Sequence, residues 1–125
     1  MAQENVGLPG YIASAARTTD HVGAWFTNED HQRLHVIVNV SAAAGSTATF
    51  TPSIEAKVPA TTQSYDLLVG TAISSTGRTV LKVGPGIAAS ANAAAQDMVP
   101  AVFRVTSTHA GAGSLTYSVD LNLGI

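Results

Sequence analysis

Residues 115–123 read LTYSVDLNL. Leu115, Tyr117, Val119, Leu121 and Leu123 alternate with Thr116, Ser118, Asp120 and Asn122. Successive side chains of an extended chain point to opposite faces, so this stretch is a strand with one apolar and one polar face. Such a strand requires a second layer over its apolar face. Two further stretches supply it. In residues 33–40, Leu34, Val36, Val38 and Val40 alternate with His35, Ile37 and Asn39, and Ile37 on the polar side suggests cover on both faces. In residues 47–58, Ala48, Phe50, Pro52, Ile54, Ala56 and Val58 share one face, with Thr47, Thr49, Thr51, Ser53, Glu55 and Lys57 on the other. Pro52 has no N–H for a ladder, so it marks an edge position or a bulge.

The remaining segments fit the same pattern. Residues 11–19, 22–27, 64–72, 78–83 and 101–108 read as strands. They are separated by turn signals: 28–32, the hairpin connection 42–46, then 59–63, 74–77, Gly84-Pro85-Gly86 and the Gly-rich 109–113. Residues 87–98, IAASANAAAQDM, are the one helix candidate, but they lack large apolar anchors. A loop with at most one helical turn is expected there, closed by Pro100. About eight short strands at regular spacing, with no βαβ spacing, specify an all-β antiparallel β-sandwich of jelly-roll or Greek-key type.

The chain of 125 residues suits one domain, taken as residues 11–125, preceded by an extended N-terminal arm at 1–10. The arm ends in Leu8-Pro9-Gly10. It reads either as a frayed terminus or as an arm docking on a neighbouring subunit through Leu8 and Tyr11. Trp25, the only Trp, adjoins Phe26. On a strand the pair faces opposite ways, one into the core and the other to solvent or a partner, unless a local bulge buries both. His35 on a strand face reads as an interface or surface residue. Leu8, Tyr11, Trp25, Phe26, His35 and Ile37 are the interface candidates.

Composition excludes several functions. Six Lys and Arg spread singly against eight Asp and Glu leave no basic stripe for nucleic acid. No apolar run is long enough to cross a membrane as a helix, and residues 1–10, MAQENVGLPG, have no signal-peptide pattern. Synthesis in a cytoplasm without a signal is expected. Without Cys there is no thiol nucleophile, disulfide or Cys-based zinc motif. Asp20-His21 and Asp30-His31 are the nearest approach to acid–base or metal pairs, and they read as exposed loop polarity. No G-x-S-x-G elbow, phosphate loop or paired carboxylates occur, so no enzymatic role and no cofactor or metal is expected. Charged residues make up only 11%, against about a quarter in ordinary domains, which suggests a surface partly covered by partners.

From Arg33 onward an ordered set of short pieces stands out: Leu34-His35-Val36, SYDLL at 64–68, and 77–85 with its TVLKVGP core. Phe103-Arg104-Val105, Thr108-His109 and LTYSV at 115–119 complete it. In these pieces the chain resembles a family of small structural proteins of tailed bacteriophages, common in phages of actinobacteria. Members are labelled head decoration or minor tail proteins and imply a β-sandwich. The resemblance implies a capsid decoration (cement) protein, a homotrimer on the major capsid protein at the outer surface of the virion. A minor tail or fibre component touching the host surface is the alternative. A carbohydrate-binding module on the same fold is disfavoured by the missing signal and the missing carboxylate pair.

Overall fold

The computed structural model describes residues 5–45 and 47–124. Ten strands and no helix are present among them: β1 Val6–Arg17, β2 His21–Val22, β3 Phe26–Thr27, β4 Arg33–Ala44, β5 Thr49–Lys57, β6 Ser64–Val69, β7 Gly77–Val83, β8 Ala94–Ala95, β9 Val102–Ala110 and β10 Ser114–Gly124. Sheet A has the order β1-β10-β4-β7-β8, and sheet B the order β2-β9-β5-β6, with β3 also on β9. All pairings are antiparallel except β7 with β8. If β2 and β3 are counted as one broken strand and the two-residue β8 is set aside, eight strands remain, four to a sheet. The chain changes sheet at every connection except β5 to β6, and that interleaving is the jelly roll.

The period-two pattern decides what is buried. Leu34, Val36, Val38 and Val40 of β4 and Leu115, Tyr117, Val119, Leu121 and Leu123 of β10 form sheet A's share of the core. Phe50 and Ile54 of β5 and Phe103 and Val105 of β9 meet them from sheet B. Phe50 stacks on Tyr117 across the sandwich, with centroids 4.1 Å apart and planes at 11°. Each such fully buried side chain contributes about 1.5–3 kcal/mol of apolar burial.

Several expectations are corrected. Residues 6–10 are not a free arm. They open β1, where Val6, Gly7 and Leu8 pair with Leu123, Asn122 and Leu121; residues 1–4 lie outside the described set. The Pro9-Gly10 signal marks a bulge in this edge strand, between the Leu8 and Ile12 pairings, rather than its start. Residues 22–27 are not one strand, because Gly23, Ala24 and Trp25 leave the ladder between β2 and β3. Residues 42–46 are not a hairpin connection. Ala42, Ala43 and Ala44 continue β4 opposite Thr116, Leu115 and Ser114, and the chain then crosses to sheet B; Ser46 lies outside the described residues. His109 and Ala110 extend β9 rather than turning, and 111–113 also cross between sheets.

These two corners interlock. Thr47 Oγ1 accepts from the Ala112 N–H at 2.9 Å and donates to the Ala112 carbonyl at 3.2 Å. Gly113, at φ 113°, passes so close that a Cβ would stand 2.2 Å from the Ala44 carbonyl oxygen.

Pro52 sits inside β5, not at an edge, yet its missing donor is accommodated by irregularity opposite. Ser53 pairs with Val69 and Phe50 bridges Ile73, so the partner chain carries one extra residue there. The Ala-rich 87–98 stretch is a loop, as expected, with a single hydrogen-bonded turn in which the Ala93 and Ala94 N–H groups donate to the Ser90 carbonyl. It folds as a turn with Asn92 at φ 60° and leads into β8, which pairs parallel to Lys82 and Val83.

Candidate functional surfaces

The interface candidates divide into two groups. Leu8, Tyr11 and Phe26 pack against the chain's own core. Tyr11 donates its hydroxyl to the Ala24 carbonyl and accepts from the Val105 N–H at 3.3 Å, so it ties β1 to sheet B. Burial raises its phenol pKa above 10.0, with the Val105 amide and the Arg104 charge opposing. Phe26 meets Phe103 at 5.3 Å. The anchoring that Leu8 and Tyr11 perform here is therefore within one chain. Trp25, His35 and Ile37 face outwards.

Trp25 lies on the outside of sheet B. The Arg104 guanidinium stacks 4.1 Å from its ring centroid, and Lys57 Nζ is at 5.7 Å. Arg104 is also ion-paired to Glu55 at 2.7 Å. Arg104 alternates with buried Phe103 and Val105, and Glu55 and Lys57 flank buried Ala56, which places the group on the outer pleat. The adjacent Phe26 points to the core, as alternation requires.

His35 and Ile37 belong to the outer face of sheet A. The ladder registers place them in a regular array with three rows. Ser118, Asn39 and Arg78 form the first row; Asp120, Ile37 and Val80 the second; Asn122, His35 and Lys82 the third. The central pair, Ile37 and Val80, is half-buried. A hydrogen-bond chain crosses the sheet beside it: Arg78 Nε donates to Asn39 Oδ1 at 2.7 Å, and Asn39 Nδ2 donates to Asp120 Oδ2 at 3.2 Å. The Gly10 N–H then donates to Asp120 Oδ1 at 2.8 Å. Asp120 thus holds the bulge of β1 in place. At one end of the face is a cleft of about 250 Å³, lined by Asn5, Arg33, His35, Asn122 and Gly124. Partial burial first, and the Lys82 charge second, lower the His35 pKa below 6.5, so its imidazole is neutral at pH 7.

Of the other histidines, His31 and His109 are held through their backbones. Asp20 Oδ1 accepts from the His109 N–H at 2.7 Å rather than pairing with His21. Asp30 turns the chain at φ 63°. His31 is clasped through its backbone by Asn28, which accepts from its N–H at 3.0 Å and donates to its carbonyl at 2.8 Å. Among the described residues no three His, Asp or Glu side chains are grouped to hold a metal ion. The residues that sequence reasoning missed are Val80, Arg78 and Lys82. The alternation of 78–83 announced them as one face, but only the β4–β7 register brings that face beside Ile37 and His35.

No family model, no curated protein and no solved structure matches the chain.

Proposed function

We propose that the protein is a capsid decoration protein, which binds the outside of an assembled phage head and stabilises it against the pressure of packaged DNA. The carrying observation is the outer face of sheet A, an apolar Ile37–Val80 pair inside a rim of polar and charged side chains. That is the anatomy of a protein-docking surface. The jelly roll presents it on a rigid support, and the ordered resemblance from Arg33 onward supports the phage context. The proposed assembly is a homotrimer seated on the major capsid protein. Its mechanism is mass action: a protein that binds only the assembled shell shifts the equilibrium toward that shell. The test is the heat resistance of purified empty heads with and without the protein. Equal resistance rejects the cement role.

A second reading, a minor tail or fibre component contacting the host surface, is favoured by one observation. Trp25 lies on an outer face, held by Arg104, in the manner of an aromatic contact residue. Copy number separates the readings: hundreds per particle for a head protein, a handful for a tail protein. Loss of host attachment in Trp25→Ala particles, with head stability unchanged, supports the second.

A further inference from the structure

The outer face of sheet B is laid out by its ladder registers in rows across the strands. One row spans all four: Val22 of β2, Thr106 of β9, Ser53 of β5 and Val69 of β6. Ser53 and Thr106 alternate with the buried Ile54, Val105 and Ser107, and paired residues of neighbouring strands share a face, so the row points outwards. Val22 and Val69 stand at its two ends, 54% and 41% exposed. On one side of this row lie Thr51 with Thr108, then Thr49 with Ala110. On the other side lies a charged row, Asp66, Glu55 and Arg104, with Trp25 stacked on Arg104 and Lys57 near it. Two acidic and two basic side chains leave the face neutral.

Covering this face costs little. The Ser53 and Thr106 hydroxyls bond each other at 2.8 Å, and Arg104 is paired with Glu55 at 2.7 Å, so these groups keep partners when water leaves. The order within the rows names the occupant. A half-turn about an axis parallel to the strands, between β9 and β5, lays a second copy on this face with each row upon itself in reverse. Val22 then meets Val69 of the other copy, Thr106 meets Ser53, and Glu55 meets Arg104. Apolar ends meet apolar ends, acid meets base, and a neutral face carries no repulsion between copies. Four strands about 4.8 Å apart and the nine residues of β5 give a face of roughly 500 Å². A pair of copies buries about 1,000 Å² in all, the lower bound for a specific interface, which suits a reversible pair of micromolar affinity.

We infer that the outer face of sheet B is a self-association surface, on which a second copy of this chain sits face to face in the reversed orientation, Val22 against Val69 and Glu55 against Arg104. The inference goes beyond the decoration reading and does not rest on it, since that reading uses the outer face of sheet A.

Sedimentation of the purified protein over a micromolar-to-millimolar series tests this. The wild type should move from monomer to a species of twice the mass. Two double variants at the exposed valines separate the geometry from a general effect of charge, and both should keep a wild-type Tm. Val22→Glu/Val69→Glu sets like charges against each other and should weaken pairing by at least about tenfold. Val22→Lys/Val69→Glu sets Lys against Glu in the reversed pair and should associate more tightly than the first variant. A wild type that stays monomeric throughout overturns the inference, as does a larger assembly that both variants leave unchanged. Equal weakening by the two variants overturns the reversed orientation. A measurement on the wild type alone is independent of how the variants fold. In isotope-labelled protein the amide shifts that move with concentration should centre on Val22, Ser53, Val69 and Thr106, and movement centred on sheet A overturns the assignment of the face.

Discussion

Gly113→Ala asks whether the two sheet-crossing corners are locked together. Two costs are expected. The first is conformational: at φ 113° an L side chain is strained, at about 1–3 kcal/mol. The second is steric. The new Cβ would stand 2.2 Å from the Ala44 carbonyl oxygen and 3.0 Å from the Gly45 Cα, both backbone atoms that cannot rotate away. Relief requires moving the start of β10 off the end of β4, at the pairs Ser114–Ala44 and Leu115–Ala43. Each backbone hydrogen bond lost there costs about 0.5–1.5 kcal/mol. The sum is about 3–5 kcal/mol, a large part of the 5–15 kcal/mol or so that holds a domain of this kind. Gly10→Ala is the internal control. Gly10 also has positive φ, 68°, but nothing lies within 4 Å of its Cβ position. It should show the backbone cost alone, about 1 kcal/mol. Urea and thermal unfolding followed by Trp25 fluorescence measure both. At roughly 3–5 °C per kcal/mol, Gly113→Ala should lower Tm by about 10–20 °C and Gly10→Ala by about 5 °C. Equal losses within about 1 kcal/mol would show that the corners yield freely, and the interlock would be refuted.

Other outcomes follow from the same contacts. Phe50→Ala removes the ring stacked on Tyr117 and should cost about 3–5 kcal/mol, seen as a lower urea midpoint at unchanged slope. Asp120→Ala frees the Gly10 N–H and breaks the link to Asn39; a loss of about 1–2 kcal/mol is expected, with faster amide exchange at Gly10 while the β4–β7 amides stay protected. Tyr11 has a raised folded pKa, so above pH 10 the unfolded chain gives up this proton first. Its contribution is fully present below pH 10.0 and is lost as pH rises toward the folded value. Ultraviolet titration should show a phenol ionising above the ordinary value that is missing in Tyr11→Phe, and an unchanged titration in that variant would refute the buried position.

The candidate surface was partly legible in the sequence. His35 and Ile37 stood out because an apolar residue interrupts the polar side of a clean alternation. Trp25 and Phe26 were separable because neighbours on extended chain point apart. The pairing of residues 6–10 was not legible because Pro9-Gly10 carries the same signal whether it ends a free arm or bulges an edge strand. What distinguishes the two is the Asp120 carboxylate on the Gly10 N–H, a contact spanning most of the chain.

The sequence by itself determined that this chain is made of strands, and which side of the long ones is buried. Alternation is a local property: residues i and i+2 of β4, β5 and β10 share a face whatever the strand pairs with. Only the tertiary structure decided which strands are neighbours. Gly and Ala at 42–45 and 109–113 serve equally for a hairpin and for a corner between sheets, since both need a compact change of direction. The choice is made by burial. Crossing sheets at each corner brings the apolar sides of β4 and β10 against those of β5 and β9, and the same crossing leaves Ile37, Val80, His35 and Lys82 together on the outside.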